Sequence, residues 1–399
     1  MPDAPLLSIL VPTKNRSECA RHAIASILAF PDRDFELVVH DNSSDGRLRQ
    51  WIERLPHDPR LKYSCSEGEL SISQNFERTI DCSTGRYLAA LGDDDGVNPC
   101  IIDVCKWLEA NKVDALTPKS TSRYLWPGVK PGSDSRFDKG RLSIGVFSGQ
   151  LKVTSPEAAL RRCIRRGAGR LEGLPTLYHG VVKRSCLEKV RYATGHWLPG
   201  VSPDMAAAVA LASQVNQVAL LDYPVFVPGA SPNSGAGRGV KKTHHGDLRA
   251  EAFLDRHWVD VWPQGVPRFF SGPTMWAAAA IQALRATGRD DLADHFNYAA
   301  VHAACLVFVP QRRRETLQSL GECAWASNRF DQVRARAVCV THIALAWSRR
   351  LHSKVSKLAQ GGGSQTNLDP CDIAQAMQVI QSKCAPLVVR DKSFALGAR

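Results

Sequence analysis

Apolar and polar positions change period several times along the chain, and the changes mark its elements. Leu6 to Val11 is a nearly unbroken apolar run of strand length that stops at Pro12, as in a strand buried on both faces. From Ser17 the period lengthens, and Ala20, Ala23, Ile24, Ile27 and Leu28 share one helical face. Phe35 to His40 predicts a second strand, followed by the polar turn Asp41-Asn42-Ser43-Ser44-Asp45-Gly46 and a helix over 47–55. A short strand over 61–64, a helix over 73–82, a strand over 87–91 and a helix over 98–110 follow. This alternation predicts an α/β fold with a mostly parallel sheet and helices on both faces. In such sheets ligands bind beyond the carboxyl ends of the strands. Pro12-Thr13, Asp41-Asn42 and Asp93-Asp94-Asp95 all fall there, so three polar clusters converge on one crevice.

The later pattern is less regular. Residues 119–150, rich in Pro, Gly, Ser and charge, read as a long surface loop beside the crevice. A helix over 155–166, a strand over 176–182, a helix from Ser185, an alanine-rich helix opened by Pro203-Asp204 and a strand over 218–227 are expected next. The Gly- and Ser-rich stretch 229–239 leads into Lys241, Lys242, His244 and His245, and from about Leu248 helical periods dominate. Gly361-Gly362-Gly363-Ser364 is a flexible break before a last short helix. The division this suggests is a first domain over 1–245, in two parts over 1–118 and 119–245, then a helical region over 246–399.

Composition narrows the partners. Across 399 residues, 44% apolar and 23% charged, the chain is of the soluble globular kind, and its net charge of +12 favours anionic partners. Nucleotide phosphates or peripheral contact with an anionic membrane fit; without aromatic-interleaved basic repeats, nucleic acid does not. The 12 cysteines include no pair two residues apart and sit in runs such as Ala303-Ala304-Cys305-Leu306. They read as reduced thiols acting as small hydrophobes, which suits a cytoplasmic protein. No apolar run reaches membrane-spanning length. Nothing indicates an oligomeric state.

Three adjacent carboxylates repel one another and are costly to hold unless something neutralises them. In an extended segment Asp93 and Asp95 would point the same way, able to hold one hard divalent ion with positions left for phosphate oxygens. The alternative is an acidic turn capping the next helix.

The N-terminal stretch resembles family 2 glycosyltransferases, which have the GT-A fold and move a sugar from a nucleotide diphosphate. The resemblance lies in Ser8-Ile9-Leu10-Val11-Pro12-Thr13-Lys14-Asn15-Arg16, Leu37-Val38-Val39-His40-Asp41-Asn42-Ser43-Ser44-Asp45, Ser73-Gln74-Asn75-Phe76 and Gly85 to Asp95, covering about residues 6–118. It implies a nucleotide pocket lined by Pro12, Thr13, Asn15, Arg16, Asp41, Asn42 and Asn75. Asp95 would contact Mg or Mn most directly, Asp93 would serve the ribose or the ion's water shell, and Asp94 would face away or help position the sugar. Further candidates are Lys241 and Lys242 for the diphosphate, and His244 and His245 for the metal. The segment 231–245 would be a Gly-hinged flap carrying Arg238, Lys241 and Lys242, or else a plain polar loop. Asp204 is the candidate general base for an acceptor hydroxyl, or a helix-start acid placed by the macrodipole.

The expected activity is thus a metal-dependent, inverting transfer from a nucleotide-diphosphate sugar to a glycan or lipid-linked acceptor, in surface polysaccharide or related glycan biosynthesis. A binding or scaffold protein with lost catalysis, or a sugar-nucleotide nucleotidyltransferase, are the alternatives. Intact Asp93, Asp95 and Asp204 oppose the first, and the absence of a Gly-rich, Arg-containing loop after the first strand opposes the second.

Overall fold

A computed structural model describes residues 4–119, 122–129, 139–322, 333, 336–348, 366–390 and 393–396. Its centre is an eight-stranded sheet. The first strand, β1 (Leu7–Thr13), is buried at every position, and α1 (Ser17–Leu28) follows it. β2 (Phe35–Asp41), α2 (Arg47–Ile52), β3 (Leu61–Cys65), α3 (Ile72–Asp81) and β4 (Tyr87–Ala90) continue the alternation. β1, β2, β3 and β4 run parallel, in the order β3-β2-β1-β4. The expected α/β architecture, a mostly parallel sheet flanked by helices, is the one present.

Double-sided burial explains the apolar runs. Along β1, Leu7, Ile9 and Val11 join one core with Ala20, Ile24 and Ile27 of α1. Leu10 turns to the other face, where it shares a core with Phe76 and Ile80 of α3. The start of α3 is fixed by a capping box: the Ser71 hydroxyl accepts from the Gln74 amide, and the Gln74 side chain accepts from the Ser71 amide. Such a cap is worth about 1 kcal/mol, and it places Asn75 one turn in, over the carboxyl end of β1.

After β4 come β5 (Gly96–Val97), α4 (Ile101–Asn111) and β6 (Ala115–Pro118). The stretch expected as a long loop, 119–150, contains two more strands, β7 (Ser122–Leu125) and β8 (Arg141–Ile144), and β9 (Leu151–Thr154) follows it directly. β9 forms the sheet's far edge, while β7 and β8 build a second, four-stranded sheet. Next are α5 (Glu157–Arg165), β10 (Val181–Lys183), α6 (Arg184–Thr194), α7 (Pro203–Ala212), β11 (Val218–Leu221), β12 (Phe226–Val227) and β13 (Gly229–Ala230). The strand expected over 176–182 forms only at its end, because Thr176 to Gly180 lie against β4 through a single bridge at Tyr178. The strand over 218–227 is cut in two around Pro224, which has no amide to give a ladder.

The segment read as a Gly-hinged flap contains a short helix, α8 (Gly235–Lys241), whose first turn is capped by the Ser234 hydroxyl. Beyond it, α10 (Gly272–Ala286), after β14 (His245–Gly246), α9 (Arg256–Asp260) and β15 (Phe270–Ser271), buries its alanine-rich face with α7 in the same core as Leu10 and Leu88. Helices α11 (Asp290–Ala293), α12 (Tyr298–Phe308), α13 (Arg313–Glu322) and α14 (336–348) make the C-terminal region mainly helical. The chain then returns: β16 (Thr366–Leu368) pairs with β8, and α15 (Ile373–Lys383) packs Ile373, Ala376, Met377 and Ile380 against α1 and the second sheet. The Gly361–Ser364 break lies outside the described residues.

Candidate functional site

The polar clusters gather at the carboxyl ends of β1, β2 and β4, where Thr13, Asp41, Asn42, Asn75 and Asp93 are largely buried. Thr13 ends β1 and donates its hydroxyl to Asp93 Oδ2 at 2.6 Å. Asn75 reaches across from α3, donating to the Thr13 carbonyl at 3.0 Å and pairing through Oδ1 with His40 Nδ1 at 2.7 Å. Asn15, with φ of 54°, turns the chain out of β1 and accepts from the Ser44 amide. This brings the loop after β1 against the loop after β2. Asp41 and Asn42 serve that second loop. Asp41 accepts from the Ser43 amide and the Tyr63 hydroxyl, while Asn42 spans to the Ser66 and Gly68 carbonyls and the Leu70 amide. Pro12, Thr13, Asn15, Arg16, Asp41, Asn42, Asn75 and Asp93 are therefore linked by the strand ends and by hydrogen bonds.

The acidic triplet is not extended. The Asp95 amide bonds back to the Gly92 carbonyl at 3.1 Å, closing a turn in which Asp93 and Asp95 take different partners. Asp93 and Asp94 instead share one guanidinium. Arg16 Nη2 lies 2.6 Å from Asp93 Oδ1 and Nη1 lies 3.5 Å from Asp94 Oδ1. Asp94 Oδ2 accepts from the Ser231 amide, and its carbonyl from Trp126 Nε1. Burial, ahead of repulsion from Asp94 and Asp95, pushes the Asp93 carboxyl up to about 7 despite Arg16 and Thr13. Burial alone would weaken the Arg16 charge, but Asp93 and Asp94 outweigh it and hold its pKa above the ordinary value.

Asp95 is a tie-point. Its Oδ2 accepts from the Gly92 amide, the Tyr178 hydroxyl and His179 Nε2, each at 2.7 Å, and its Oδ1 from the Gly229 amide at 2.6 Å. Burial would raise its pKa; the charge and bond of His179, the Gly229 amide and the Tyr178 hydroxyl together hold it below the usual range. His179 sits at φ 54°, in the left-handed region that is uncommon for residues other than glycine.

These contacts change the metal expectation. A cation needs carboxylate oxygens that are not already saturated, and Asp95 has none to spare. Asp93 Oδ1 is the contrary case: it is fully buried, lacks an aligned hydrogen bond and meets only the Arg16 charge among the described residues. Asp93 and Asp94 thus fit a divalent ion's oxygen donors, whereas Asp95 does not. His244 and His245 do not join them, since among the described residues no three His, Cys, Asp or Glu side chains converge on one point. His244 packs its ring edge-on to Phe270 at 4.7 Å, and burial, then Arg238, lowers its pKa.

The basic residues of the flap segment also point elsewhere. Arg238 makes two bonds of 2.8 Å to Glu251 and lies over Phe270, and Lys241 donates to the Pro232 carbonyl at 2.8 Å. Lys242, at φ 60°, ends α8 and is exposed. The segment is tied to the acidic turn at one end, where the Ser231 amide donates to Asp94 Oδ2. Asp204 opens α7, half-buried, accepting at Oδ1 from the Ser202 hydroxyl (2.5 Å) and the Met205 amide (2.8 Å) and at Oδ2 from Trp276 Nε1 (2.9 Å).

Tyr178, His179, Gly229, Ser231 and Trp276 have no local sequence signal. Their partners lie tens of residues away, and only the fold brings them in. Gly229 alone leaves a trace, because a Cβ there would sit 1.8 Å from the Asp94 carbonyl oxygen.

The fold is therefore an α/β one whose mainly parallel sheet gathers these polar residues at its strand ends, where ligands bind in such sheets. Residues 8–153 match the model of glycosyl transferase family 2. The putative colanic acid biosynthesis glycosyl transferase WcaA of Escherichia coli is 31% identical over 101 residues, 25% of this chain and 36% of that protein. The GalNAc(5)-diNAcBac-PP-undecaprenol beta-1,3-glucosyltransferase of Campylobacter jejuni is 31% identical over 93 residues, 23% and 30% of the two chains. The match spans about a third of the length of these curated relatives. Among solved structures, S. aureus TarS 1–349 with UDP-GlcNAc gives a TM-score of 0.49 at 15% identity, covering 98% of this chain and 96% of that one. The mannosyltransferase from Pyrobaculum calidifontis with GDP-Man and Mn2+ gives 0.40 at 16%, covering 96% and 89%. Among the described residues, no helix is long and apolar enough to cross a membrane.

Proposed function

We propose that this protein is a glycosyltransferase that moves a sugar from a nucleoside-diphosphate sugar to a hydroxyl of a glycan or lipid-linked acceptor, with inversion. The observation that carries the reading is the closed set of bonds Thr13–Asp93, Asn75–Thr13 and Arg16–Asp93 at the ends of parallel strands. That arrangement suits a nucleotide whose diphosphate faces the acidic turn. The family match over 8–153 and relatives named for colanic acid and undecaprenol-linked glycan assembly point to polysaccharide or related glycan biosynthesis.

In the proposed reaction the acceptor oxygen attacks the anomeric carbon. The carbon–oxygen bond to the β-phosphate breaks with its electron pair, and the acceptor proton passes to an Asp204 carboxylate oxygen. The Ser202, Met205 and Trp276 donors fix the Asp204 plane, so a lone pair is aimed before the acceptor arrives. One displacement of this kind inverts the anomeric centre. A divalent ion held by Asp93 and Asp94 would supply charge stabilisation for the departing diphosphate. Arg16 contributes fixed positive charge to the same corner.

The test is a panel of UDP- and GDP-sugars incubated with the purified chain and Mn2+ or Mg2+, reading release of nucleoside diphosphate. Metal-stimulated release from at least one donor supports the reading. Binding without turnover across the panel would favour a nucleotide-sugar-binding protein instead.

A further inference from the structure

One side chain lies where two roles meet. Arg16 is 23% exposed and presents both terminal nitrogens to the two acidic oxygens that lack better partners, Asp93 Oδ1 and Asp94 Oδ1. Every other carboxylate oxygen of the triplet is bonded: Asp93 Oδ2 to Thr13, Asp94 Oδ2 to Ser231, and both Asp95 oxygens to their four donors. The free valence of the acidic turn is thus two oxygens facing one point, and a guanidinium lies across them.

We propose that Arg16 and a divalent cation compete for Asp93 Oδ1 and Asp94 Oδ1, so that Arg16 keeps the site closed to free metal ions until a diphosphate accompanies them. Two carboxylate oxygens are a poor shell for a hard ion that prefers six oxygen ligands. Against a resident Arg charge, a bare ion has little to gain. Phosphate oxygens complete the shell and at the same time offer the guanidinium a new anionic partner with matching fork geometry. Arg16 then changes partners from carboxylate to phosphate. The arrival of a diphosphate rests on the transferase reading above; the competition itself does not.

The experiment omits nucleotide for that reason. Mn2+ is titrated into the full chain, and the free-ion signal is followed by electron paramagnetic resonance. Wild-type protein should bind Mn2+ weakly, and Arg16→Gln should bind it at least tenfold more tightly. Adding Asp93→Asn to Arg16→Gln should return binding to the wild-type level or below. Unfolding is checked by far-UV circular dichroism. If Arg16→Gln does not fold, Arg16→Lys replaces it, keeping the charge but not the two-pronged reach, with a gain of at least threefold required. Unchanged Mn2+ affinity in the folded Arg16 variant, or a gain that survives Asp93→Asn, overturns the proposal. A failed donor screen would leave this result intact, so the two ideas fail separately.

Discussion

Asp204→Asn separates the general-base role from a helix-start role. The carboxylate takes three donors on its two oxygens. An asparagine can keep its carbonyl toward Ser202 and Met205, but its amide then confronts Trp276 Nε1, donor against donor. One hydrogen bond to a charged group is lost, costing about 1.5–3 kcal/mol of stability. The fold, with its large shared core, should survive that. The rate effect is distinct, because asparagine cannot accept the acceptor's proton. Loss of a positioned base lowers the rate by about 10²–10⁴-fold, or about 2.7–5.5 kcal/mol of barrier. Nucleoside diphosphate affinity, measured by calorimetry, should stay within about twofold of wild type, since Asp204 is not among the crevice bonds. Initial rates of diphosphate release at saturating donor and acceptor give the comparison. A variant within threefold of the wild-type rate would remove Asp204 from the chemistry and leave it a helix-start acid.

The tie-point role of Asp95 predicts that Asp95→Ala lowers stability by about 3–5 kcal/mol, because Tyr178, His179 and two amides lose a buried anionic partner; a melting temperature equal to wild type would contradict it. Gly229→Ala should destabilise by about 3 kcal/mol or more, since its Cβ would meet the Asp94 carbonyl at 1.8 Å, and denaturant unfolding would detect it. Buried Glu36 would have a raised pKa from burial alone, but Lys62, Ser8 and Thr84 hold it below its ordinary 4.5. Its contribution is therefore full above that value and fades as pH falls through the lower folded pKa. Wild-type melting temperature should drop more steeply than that of Glu36→Gln below about pH 4.5, and parallel curves would refute the assignment.

Local chemistry made much of this legible. β1 and β2 announce themselves because both faces are buried, and α3 because Ser71 and Gln74 close a capping box. The strands over 122–154 were hidden because each is four residues long, too short for a period to stand out from Pro, Gly and charge. The triplet's chemistry misleads for a different reason. Alternation assumes an extended chain, and the bond from the Asp95 amide to the Gly92 carbonyl folds it into a turn. Tyr178 and His179, 83 and 84 residues beyond their partner, carry no local mark of their role. Nor do Arg238 and Lys241 reveal from composition that Glu251 and the Pro232 carbonyl will hold them.

Calorimetry of UDP and GDP binding with Mn2+ tests most directly whether the strand ends hold a nucleoside diphosphate. Wild-type protein and Asp204→Asn should bind one of the two with equal affinity. Asn75→Leu, which breaks the link to Thr13 and His40, should weaken it at least tenfold. Absence of binding to wild type, or equal binding by Asn75→Leu, would contradict the account.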